Sequence, residues 1–498
     1  MIRRLTLAAL ALLVLAGSSK GAGAQASTPG ERLPVREVTL ENGLRLLVLP
    51  RPGAPTVSFV VQYDVGSVQE HLGITGIAHV LEHLLFKGTT SVGTRNVAAE
   101  RDLFGLMDAA QDTLVRARAR EDSADAARLE RRIAALEDSA RTYVVPNEFD
   151  RILTRAGAQG LNATTTSEAT TYFVELPSNR TELWFVLEGD RMAHPVFREF
   201  YTERSVVMEE RRMRVETSPG GLLYEAHLAA AFNEHPYGVP VVGYMSDLQN
   251  LGRPQVEEYY RRFYAPNNAV VAIVGDVDPE QVVRWARTFF GGLPRGDEPP
   301  RVLAREPAQR GERRVEVLWD AEPSVRIGWH VPSGTHPDAP ALALLSSLLT
   351  GGRTSRLYRR LVQQDRLATG VFSSLGPGDK YPQLFQLDAS PRAPHTTVEV
   401  EEAIYEEIAR LAEDGPHAAE LTRVRNQIEA GQIRRLQSNL GLAFQLAQSS
   451  TLFGDWRATF RLSERLASVT PDDLRRVASA YLTAANRTVA TLHRGGGS

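Results

Sequence analysis

The 498-residue chain contains no cysteine. It can form no disulfide, has no cysteine nucleophile and offers no thiolate to a metal ion, so any metal site must use histidine and carboxylate side chains. The formal net charge of −3 is small, and it gives no electrostatic reason to expect nucleic acid or an anionic membrane as a partner. After the first residues, no stretch is long and apolar enough to span a bilayer. We therefore expect no nucleic-acid partner and no membrane span in the mature chain.

The N-terminus has the pattern of an export signal. Arg3 and Arg4 precede an apolar stretch at residues 5–17 that is short for a membrane span, and Ala-Gly-Ala at residues 22–24 is a small-x-small cleavage site. We expect residues 1–24 to be a cleaved signal peptide, with an uncleaved anchor as the alternative. No cysteine follows the signal to carry a lipid. The predicted localisation is therefore periplasmic or secreted.

The length of the chain predicts more than one domain, because a single hydrophobic core rarely serves so many residues. Residues 294–313 are rich in Pro, Arg, Glu and Gly, which is typical of a linker between domains. We expect an N-terminal domain at residues 35–293 and a C-terminal domain at residues 314–495. Residues 96–141 are rich in Ala, Arg, Glu, Asp and Leu, which predicts one or two long solvated helices, inserted in the first domain.

Two pairs of segments indicate an internal repeat. FYAPNNAVVAIV aligns without a gap with YLTAANRTVATL, which places Asn268 against Asn486. A second and weaker alignment, of VLEHLLFKGT with LLSSLLTGGR, places Glu82 against Ser346. Both pairs occur in the same order, so the chain is predicted to be a duplicated α+β unit. Each copy would be an antiparallel or mixed sheet packed with helices, and only the first copy would have metal chemistry.

The sequence His79-Val-Leu-Glu82-His83 is the main chemical motif. On a helix, residues four apart lie on one face, so both imidazoles can reach one Zn²⁺. Glu82 lies close to the same face, where it could act as a general base toward water. The motif lies within an otherwise apolar helix, and burying three polar side chains there is costly without a metal or strong partners. The alternative is a helix with two capped or partly exposed histidines.

A third ligand is expected from the charged segment TERSVVMEERRMRVE, which begins at residue 202. Its candidates are Glu203, Glu209 and Glu210. Glu203 and Glu210 are seven residues apart and share a helix face, whereas Glu209 points nearer to a run of arginines. Periodicity leaves all three open, and for each of them a solvated surface position is the alternative.

Five blocks of sequence, in this order, resemble the inverzincin family of metallopeptidases (M16, the pitrilysin, insulysin and mitochondrial processing peptidase family): GIAHVLEHLLFKGT, LNATTTSEATTYFVELP, ERSVVMEERRMRVE, HPYGVP and FYAPNNAVVAIVGD. The blocks lie between residues 76 and 276 and occur in the order that the family has. The resemblance implies His79, His83 and Glu210 as zinc ligands and Glu82 as general base. His83 and Glu210 are 127 residues apart, more than is usual in the family, and the predicted insertion at residues 96–141 accounts for the excess.

The resemblance also implies supporting roles and a partner. Glu203 matches an acidic residue that supports the metal site, and Asn162 and Ala163 match an edge-strand segment that pairs with an extended peptide substrate. Active single-chain relatives have, in their second half, an Arg and a Tyr that bind the substrate backbone, but the corresponding residues here are Val362 and Thr369. In two-chain members, one subunit binds zinc and the other provides the Arg and Tyr. This chain is therefore predicted to form a heterodimer with a zinc-less M16-like subunit, and a homodimer is the second possibility.

These features predict a Zn²⁺-dependent endopeptidase acting on unfolded or short peptides, which would add as a strand against residues 162–163. A non-catalytic scaffold or assembly subunit is the main alternative, because the family contains such proteins. A zinc hydrolase acting on another type of bond is a further one. The presence of both histidines and of the base favours the peptidase, since scaffold members tend to lose these residues.

Overall fold

The computed structural model describes residues 33–495, so the predicted signal peptide at residues 1–24 lies outside the described residues. The architecture is α+β, with two sheets, each packed with helices, in agreement with the predicted fold class. Within residues 33–495, no helix combines the length and the apolar character that crossing a membrane requires.

The first half of the chain forms a six-stranded sheet. Its strands are β1 (Arg36–Thr39), β2 (Arg45–Pro50), β3 (Thr56–Tyr63), β4 (Gln159–Thr165), β5 (Thr170–Pro177) and β6 (Ala269–Gly275). Its helices are α1 (Ile77–Leu84), α2 (Val97–Ala119), α3 (Ser123–Arg141), α4 (Glu148–Arg155), α5 (Thr181–Ala193), α6 (Phe200–Arg211), α7 (Pro219–Ala231), α8 (Met245–Asn250), α9 (Arg253–Phe263) and α10 (Pro279–Phe290). The strand order is β1-β2-β6-β3-β5-β4. Only β2 and β6 pair in parallel within this sheet, and β4 forms an edge.

The second half forms a five-stranded sheet. Its strands are β7 (Arg313–Trp319), β8 (Ser324–Val331), β9 (Ala368–Gly376), β10 (Gln383–Pro391) and β11 (Arg487–Arg494). Its helices are α11 (Ala339–Thr350), α12 (Thr397–Asp414), α13 (Ala418–Gln437), α14 (Asn439–Phe453), α15 (Leu462–Ser468) and α16 (Pro471–Tyr481). Two π-helical segments occur, Arg212–Glu216 after α6 and Tyr358–Gln364 before β9.

The second sheet repeats the first. Its order, β7-β11-β8-β10-β9, matches β2-β6-β3-β5-β4, including the parallel pair. The aligned asparagines make the same hydrogen bond, because Asn268 Nδ2 donates to the carbonyl of Phe263 at 2.8 Å and Asn486 Nδ2 donates to that of Tyr481 at 2.8 Å. The duplication inferred from the sequence repeat is therefore confirmed in the fold.

The weaker sequence alignment also agrees with the structure. Thr165 on β4 donates a hydrogen bond to Glu82 on α1. In the second half, the hydroxyl of Ser373 on β9 lies 2.7 Å from that of Ser346 on α11. In the strand register, Ser373 matches Ala163, two residues before Thr165. In both halves, a hydroxyl on the edge strand thus hydrogen-bonds to a helix of the same half. The pairs are β4 with α1 and β9 with α11.

Each half covers an open sheet face of the other half. Leu442 and Leu446 of α14 pack against the first sheet, in a cluster with strands β2, β3 and β6. Leu223 of α7 packs against Ala490 and Leu492 of the second sheet. Helices therefore cover both faces of the first sheet, which explains its nearly continuous apolar strands such as AVVAIVG.

The predicted helical insertion at residues 96–141 forms a hairpin of α2 and α3. The two helices are not solvated on all sides, because each buries an apolar stripe in the core of the first half. Phe104, Met107 and Leu114 of α2 and Leu129 and Ile133 of α3 belong to that core. The hairpin is therefore a packed part of the first domain, with charged residues on its outer faces.

Candidate metal centre

A buried acidic side chain, Glu70, and a half-buried one, Asp247, hold the start of α1 in place. Glu70 accepts hydrogen bonds from the backbone N–H groups of Gly76 at 2.7 Å and of Ala78 at 2.9 Å. Asp247 accepts bonds from the N–H and the hydroxyl of Thr75, at 3.2 and 2.6 Å. The first turn of a helix has free N–H groups that need acceptors, and these two acidic side chains supply them here. Burial raises the pKa of Glu70 to about 8, so Glu70 acts as a hydrogen-bond acceptor rather than as a fixed charge. Glu70 and Asp247 also set the position of the helix that carries the histidine motif.

Both histidines of the motif face α6. Their ring centroids lie 5.0 Å apart at an interplanar angle of 89°, as expected for residues one helical turn apart. His79 is buried and His83 is partly buried. Burial, together with the nearby His83 and Arg214, lowers the pKa of His79 to about 3. His79 is therefore a neutral imidazole, the form that can bind a metal ion.

Glu210 completes a cluster of three possible metal ligands. One ligand atom from each of His79, His83 and Glu210 lies within 4.8 Å of the other two. The neighbouring Glu209, also a candidate from the sequence, points away and forms an ion pair with Arg212 at 2.8 Å. The packing of α1 on α6 thus selects one of two adjacent carboxylates.

The cluster fits a zinc ion in spacing and in chemistry. Two donors that are each 2.0–2.1 Å from a tetrahedral Zn²⁺ lie about 3.3–3.4 Å apart, and His79 Nε2 lies 3.3 Å from Glu210 Oε2. Among the described residues, this buried oxygen has no hydrogen-bond donor. Two imidazoles and a carboxylate form a typical catalytic zinc set with one position left open.

Glu203 binds the outer side of His83. Its Oε2 lies 3.2 Å from Nδ1 of His83, and its Oε1 lies 2.6 Å from Nζ of Lys87. Burial alone would raise the pKa of Glu203, but the contacts with His83 and Lys87 outweigh it and lower that pKa. The ionised Glu203 therefore holds the proton of His83 on Nδ1 and leaves Nε2 toward the cluster. This is the supporting arrangement expected for a metal-binding histidine.

Glu82 is half-buried next to the cluster and reaches toward β4. There the hydroxyl of Thr165 donates to Glu82 Oε2. Burial raises the pKa of Glu82, whereas the Thr165 hydrogen bond and the charge of His83 lower it, and the net change is upward. A raised pKa suits a carboxylate that must take up and release a proton near neutral pH. Sequence reasoning missed Thr165, whose only signal is its position two residues after Ala163 on the same face of the strand.

Asn162 and Ala163 lie on β4, the edge strand beside α1. Asn162 is exposed and Ala163 is buried. The backbone N–H of Ala163 donates to the side-chain oxygen of Asn162 at 2.8 Å. The free edge of the first sheet therefore passes next to Glu82. At this edge, the backbone N–H of Ala163 is already bonded to the side-chain amide of Asn162.

The second half has no corresponding cluster at the aligned positions. Ala343 and Ser347 on α11 occupy the positions of His79 and His83. Val362 lies in the π-helical segment before β9, and Thr369 lies on β9 itself, where its hydroxyl donates to the carbonyl of Ser390 at 3.2 Å.

Comparison with known proteins agrees with this architecture. Residues 45–114 and 131–244 match the family described as Insulinase (Peptidase family M16), and residues 250–428 match the Peptidase M16 inactive domain. The first match is interrupted at the tip of the α2–α3 hairpin. The zinc protease PqqE of Helicobacter pylori is 30% identical over 493 residues, which cover 96% of this chain and 96% of that protein. The chain belongs to the M16 family of peptidases.

Solved structures share the fold of this M16 chain. The crystal structure of a protease from Helicobacter pylori has a TM-score of 0.78 at 28% identity, and the match covers 93% of this chain and all (100%) of that one. The periplasmic protease PqqL from Escherichia coli has a TM-score of 0.68 at 18% identity, and the match covers 93% of this chain but 48% of PqqL. This second likeness shows the fold alone.

Replacing Glu70 by Ala should destabilise the protein and weaken metal binding by this M16 chain. The change removes the acceptor of two backbone N–H groups, and each unsatisfied buried group costs about 1–3 kcal/mol. We expect a lower free energy of unfolding in urea and a lower zinc content after dialysis against trace zinc. Glu41, exposed in the turn before β2, is the matched control, and Glu41→Ala should change neither quantity. Equal stability of the two variants would contradict the role of Glu70.

Proposed function

We propose that this protein is a zinc-dependent endopeptidase that hydrolyses peptide bonds in unfolded or short peptides. One observation carries the proposal: His79, His83 and Glu210 converge at ligand spacing, with Glu82 next to them. The name of PqqE, a zinc protease related over nearly its whole length, supports the same activity. The main alternative, a non-catalytic scaffold, would not require these four side chains to meet.

In the proposed mechanism, His79, His83 and Glu210 would hold the metal ion. When bound, Zn²⁺ supplies a Lewis acid that polarises the peptide carbonyl and lowers the pKa of water. Glu82 takes a proton from the attacking water and passes it to the nitrogen of the leaving amine. Glu203 keeps the imidazole of His83 in the orientation and tautomer that metal binding needs.

The substrate would bind as an added strand on the free edge of β4. Peptide carbonyl and N–H groups would pair with the backbone around Asn162 and Ala163, and the amide of Asn162 would release the N–H of Ala163 to a substrate carbonyl. Main-chain pairing demands an extended segment but little side-chain specificity. This accounts for the preference for unfolded or short peptides that we propose.

We also propose that the chain acts with a second, zinc-less M16-like subunit outside the cytoplasm. Val362 and Thr369 stand where a substrate-binding Arg and Tyr are expected, so a partner would supply them. The match to PqqL covers 48% of that chain, so PqqL has about twice the length of this fold, and the proposed pair of subunits would have a comparable size. A homodimer is the alternative arrangement. The export signal predicted at residues 1–24 supports a periplasmic or secreted location.

Replacing Glu82 by Gln should abolish peptide hydrolysis but leave zinc bound. The amide cannot accept the proton of the attacking water, whereas His79, His83 and Glu210 are unchanged. We expect a loss of kcat of at least about 10²-fold, measured with a quenched fluorescent peptide, at equal zinc content by atomic emission. Hydrolysis at the wild-type rate would exclude Glu82 as the base. A wild-type protein that binds zinc but cleaves no peptide, alone or with a partner, would favour the scaffold.

Replacing Glu210 by Ala should sharply reduce the zinc content, because two histidines alone hold the ion weakly. Glu209→Ala is the matched control, since it removes the adjacent carboxylate on the exposed side of α6 and should leave zinc unchanged. Zinc per chain would be measured after exhaustive dialysis, with unfolding curves to verify that both variants are folded. Full zinc in Glu210→Ala would remove Glu210 from the ligand set.

The partner proposal predicts low peptidase activity for the chain purified alone. Co-expression with a zinc-less M16-like protein encoded nearby should raise kcat/KM by at least about 10-fold, and the two chains should co-elute in size exclusion. Full activity of the chain alone as a dimer would favour the homodimer, and full activity as a monomer would exclude both arrangements.

A further inference from the structure

The turn between β4 and β5 reaches across to the second half of the molecule. Glu168, in this turn, accepts a hydrogen bond at Oε1 from the backbone N–H of Lys380 at 2.7 Å and one at Oε2 from the N–H of Asp379 at 2.9 Å. The hydroxyl of Tyr237 also donates to Oε1. Asp379 and Lys380 belong to the turn between β9 and β10. A single carboxylate therefore joins the tip of one hairpin to the tip of its counterpart in the other half.

The contact is closely packed and has a second ionic link. A Cβ atom built on Gly378 would lie within 2.6 Å of both the hydroxyl oxygen of Tyr237 and Cδ of Glu168, so a larger residue here would displace these side chains. Nζ of Lys380 forms an ion pair with Asp64, which directly follows β3. The second half thus holds both the tip of the β4–β5 hairpin and the end of the neighbouring strand.

The same hairpin carries the proposed substrate edge and the partner of the base. Asn162 and Ala163 lie at the free edge, and Thr165 donates to Glu82. Glu168 follows three residues after Thr165. Because a strand and a tight turn are stiff over so few residues, a shift of the turn would be transmitted to Thr165 and then to Glu82.

We infer that Glu168 is a positioning residue for the proposed peptidase. The second half, which has no metal ligands at the aligned positions, holds the β4–β5 hairpin through Glu168. This contact fixes Thr165, which orients Glu82. It also keeps the edge of β4 facing the substrate. This inference rests on the proposed function. It assigns a role in catalysis to the metal-free half and to Tyr237 of the HPYG segment.

A purely structural role is the alternative, and the internal repeat makes it a serious one. Ser373 and Ser346 tie β9 to α11 in the second half, where no base exists. The tie between helix and edge strand is therefore a general part of the duplicated unit. The first half differs in two respects. Its helix residue that bonds to the edge strand is Glu82, the proposed base. The second half also contacts the β4–β5 hairpin through Glu168.

The test is a double-mutant cycle on the full chain, assayed in its most active form. Thr165→Val removes the hydroxyl that orients Glu82, and Glu168→Gln removes one of the two acceptor oxygens while keeping the size of the side chain. We expect each variant to lose about 10-fold in kcat with unchanged zinc content. If both substitutions act through β4, kcat of the double variant should be no lower than that of the slower single variant. Independent effects would instead multiply to a loss of about 100-fold in kcat.

Two controls accompany the cycle. Thr165→Ser keeps the hydroxyl and should restore most of kcat. Glu182→Gln removes an exposed carboxylate on α5 and should leave kcat unchanged. Additive losses in the double variant, or wild-type kcat in Glu168→Gln, would overturn the inference while leaving the proposed function intact.

Amide hydrogen exchange provides a readout that does not depend on activity. Glu168→Gln should speed exchange in β4 at least about 10-fold while the protection of the core strands β3 and β6 stays the same. Unchanged exchange in β4 would overturn the inference, even if the protein hydrolysed no peptide. If the wild type instead shows no Glu82-dependent hydrolysis while Glu168→Gln still speeds exchange in β4, the result would count against the proposed function but not against the contact made by Glu168.

Discussion

The contact between α1 and α6 places four titratable side chains, His79, His83, Glu203 and Glu210, in one interface of the first domain. Burying such groups is unfavourable unless each has a partner. His83 has Glu203, whereas His79 and Glu210 face each other 3.3 Å apart, with a buried oxygen that no donor satisfies within residues 33–495. A metal ion held between His79 and Glu210 would remove this imbalance, since it would bind both groups at once. The elements around the interface serve to hold the two helices at this spacing.

Several contacts hold α1 and α6 from outside. Glu70 and Asp247 fix the start of α1. The α2–α3 hairpin reaches α6, where Glu137 accepts a hydrogen bond from the backbone N–H of Thr202 at 3.1 Å. In the sequence, the hairpin separates the two parts of the candidate metal centre. In space, it contacts α6, which carries Glu203 and Glu210. Its charged outer faces obscured this role in the sequence.

Duplication explains why the second half lacks the aligned histidines but still packs closely against the first half. Each half of the chain supplies a helix, α7 or α14, that covers a sheet of the other half, so neither sheet is completely covered by its own half. The second half has Ala343 and Ser347 where the first has histidines. It has kept the packing surfaces of the common unit and, through Asp379 and Lys380, contacts the hairpin next to the site.

Local patterns and the internal repeat predicted the fold class well. The spacing of His79 and His83 follows from the geometry of a single helix, so the sequence by itself determined that they share a face. Alternation of strands and helices, repeated with Asn268 and Asn486 at matching positions, likewise predicted two copies of one unit. Such features depend on neighbours along the chain or on a pattern that occurs twice.

Only the tertiary structure decided which distant side chains meet. Periodicity left Glu203, Glu209 and Glu210 open, and the rotation of α6 against α1 brings Glu210 to His79 and turns Glu209 to solvent. Thr165 and Glu168 lie in a Thr-rich segment with no distinguishing pattern. Thr165 bonds to Glu82, 83 residues away, and Glu168 bonds to Tyr237, 69 residues away, and to Lys380, 212 residues away. Spacing within a helix is set by covalent geometry, whereas contacts between remote segments depend on how whole elements pack. That packing is a property of the complete core.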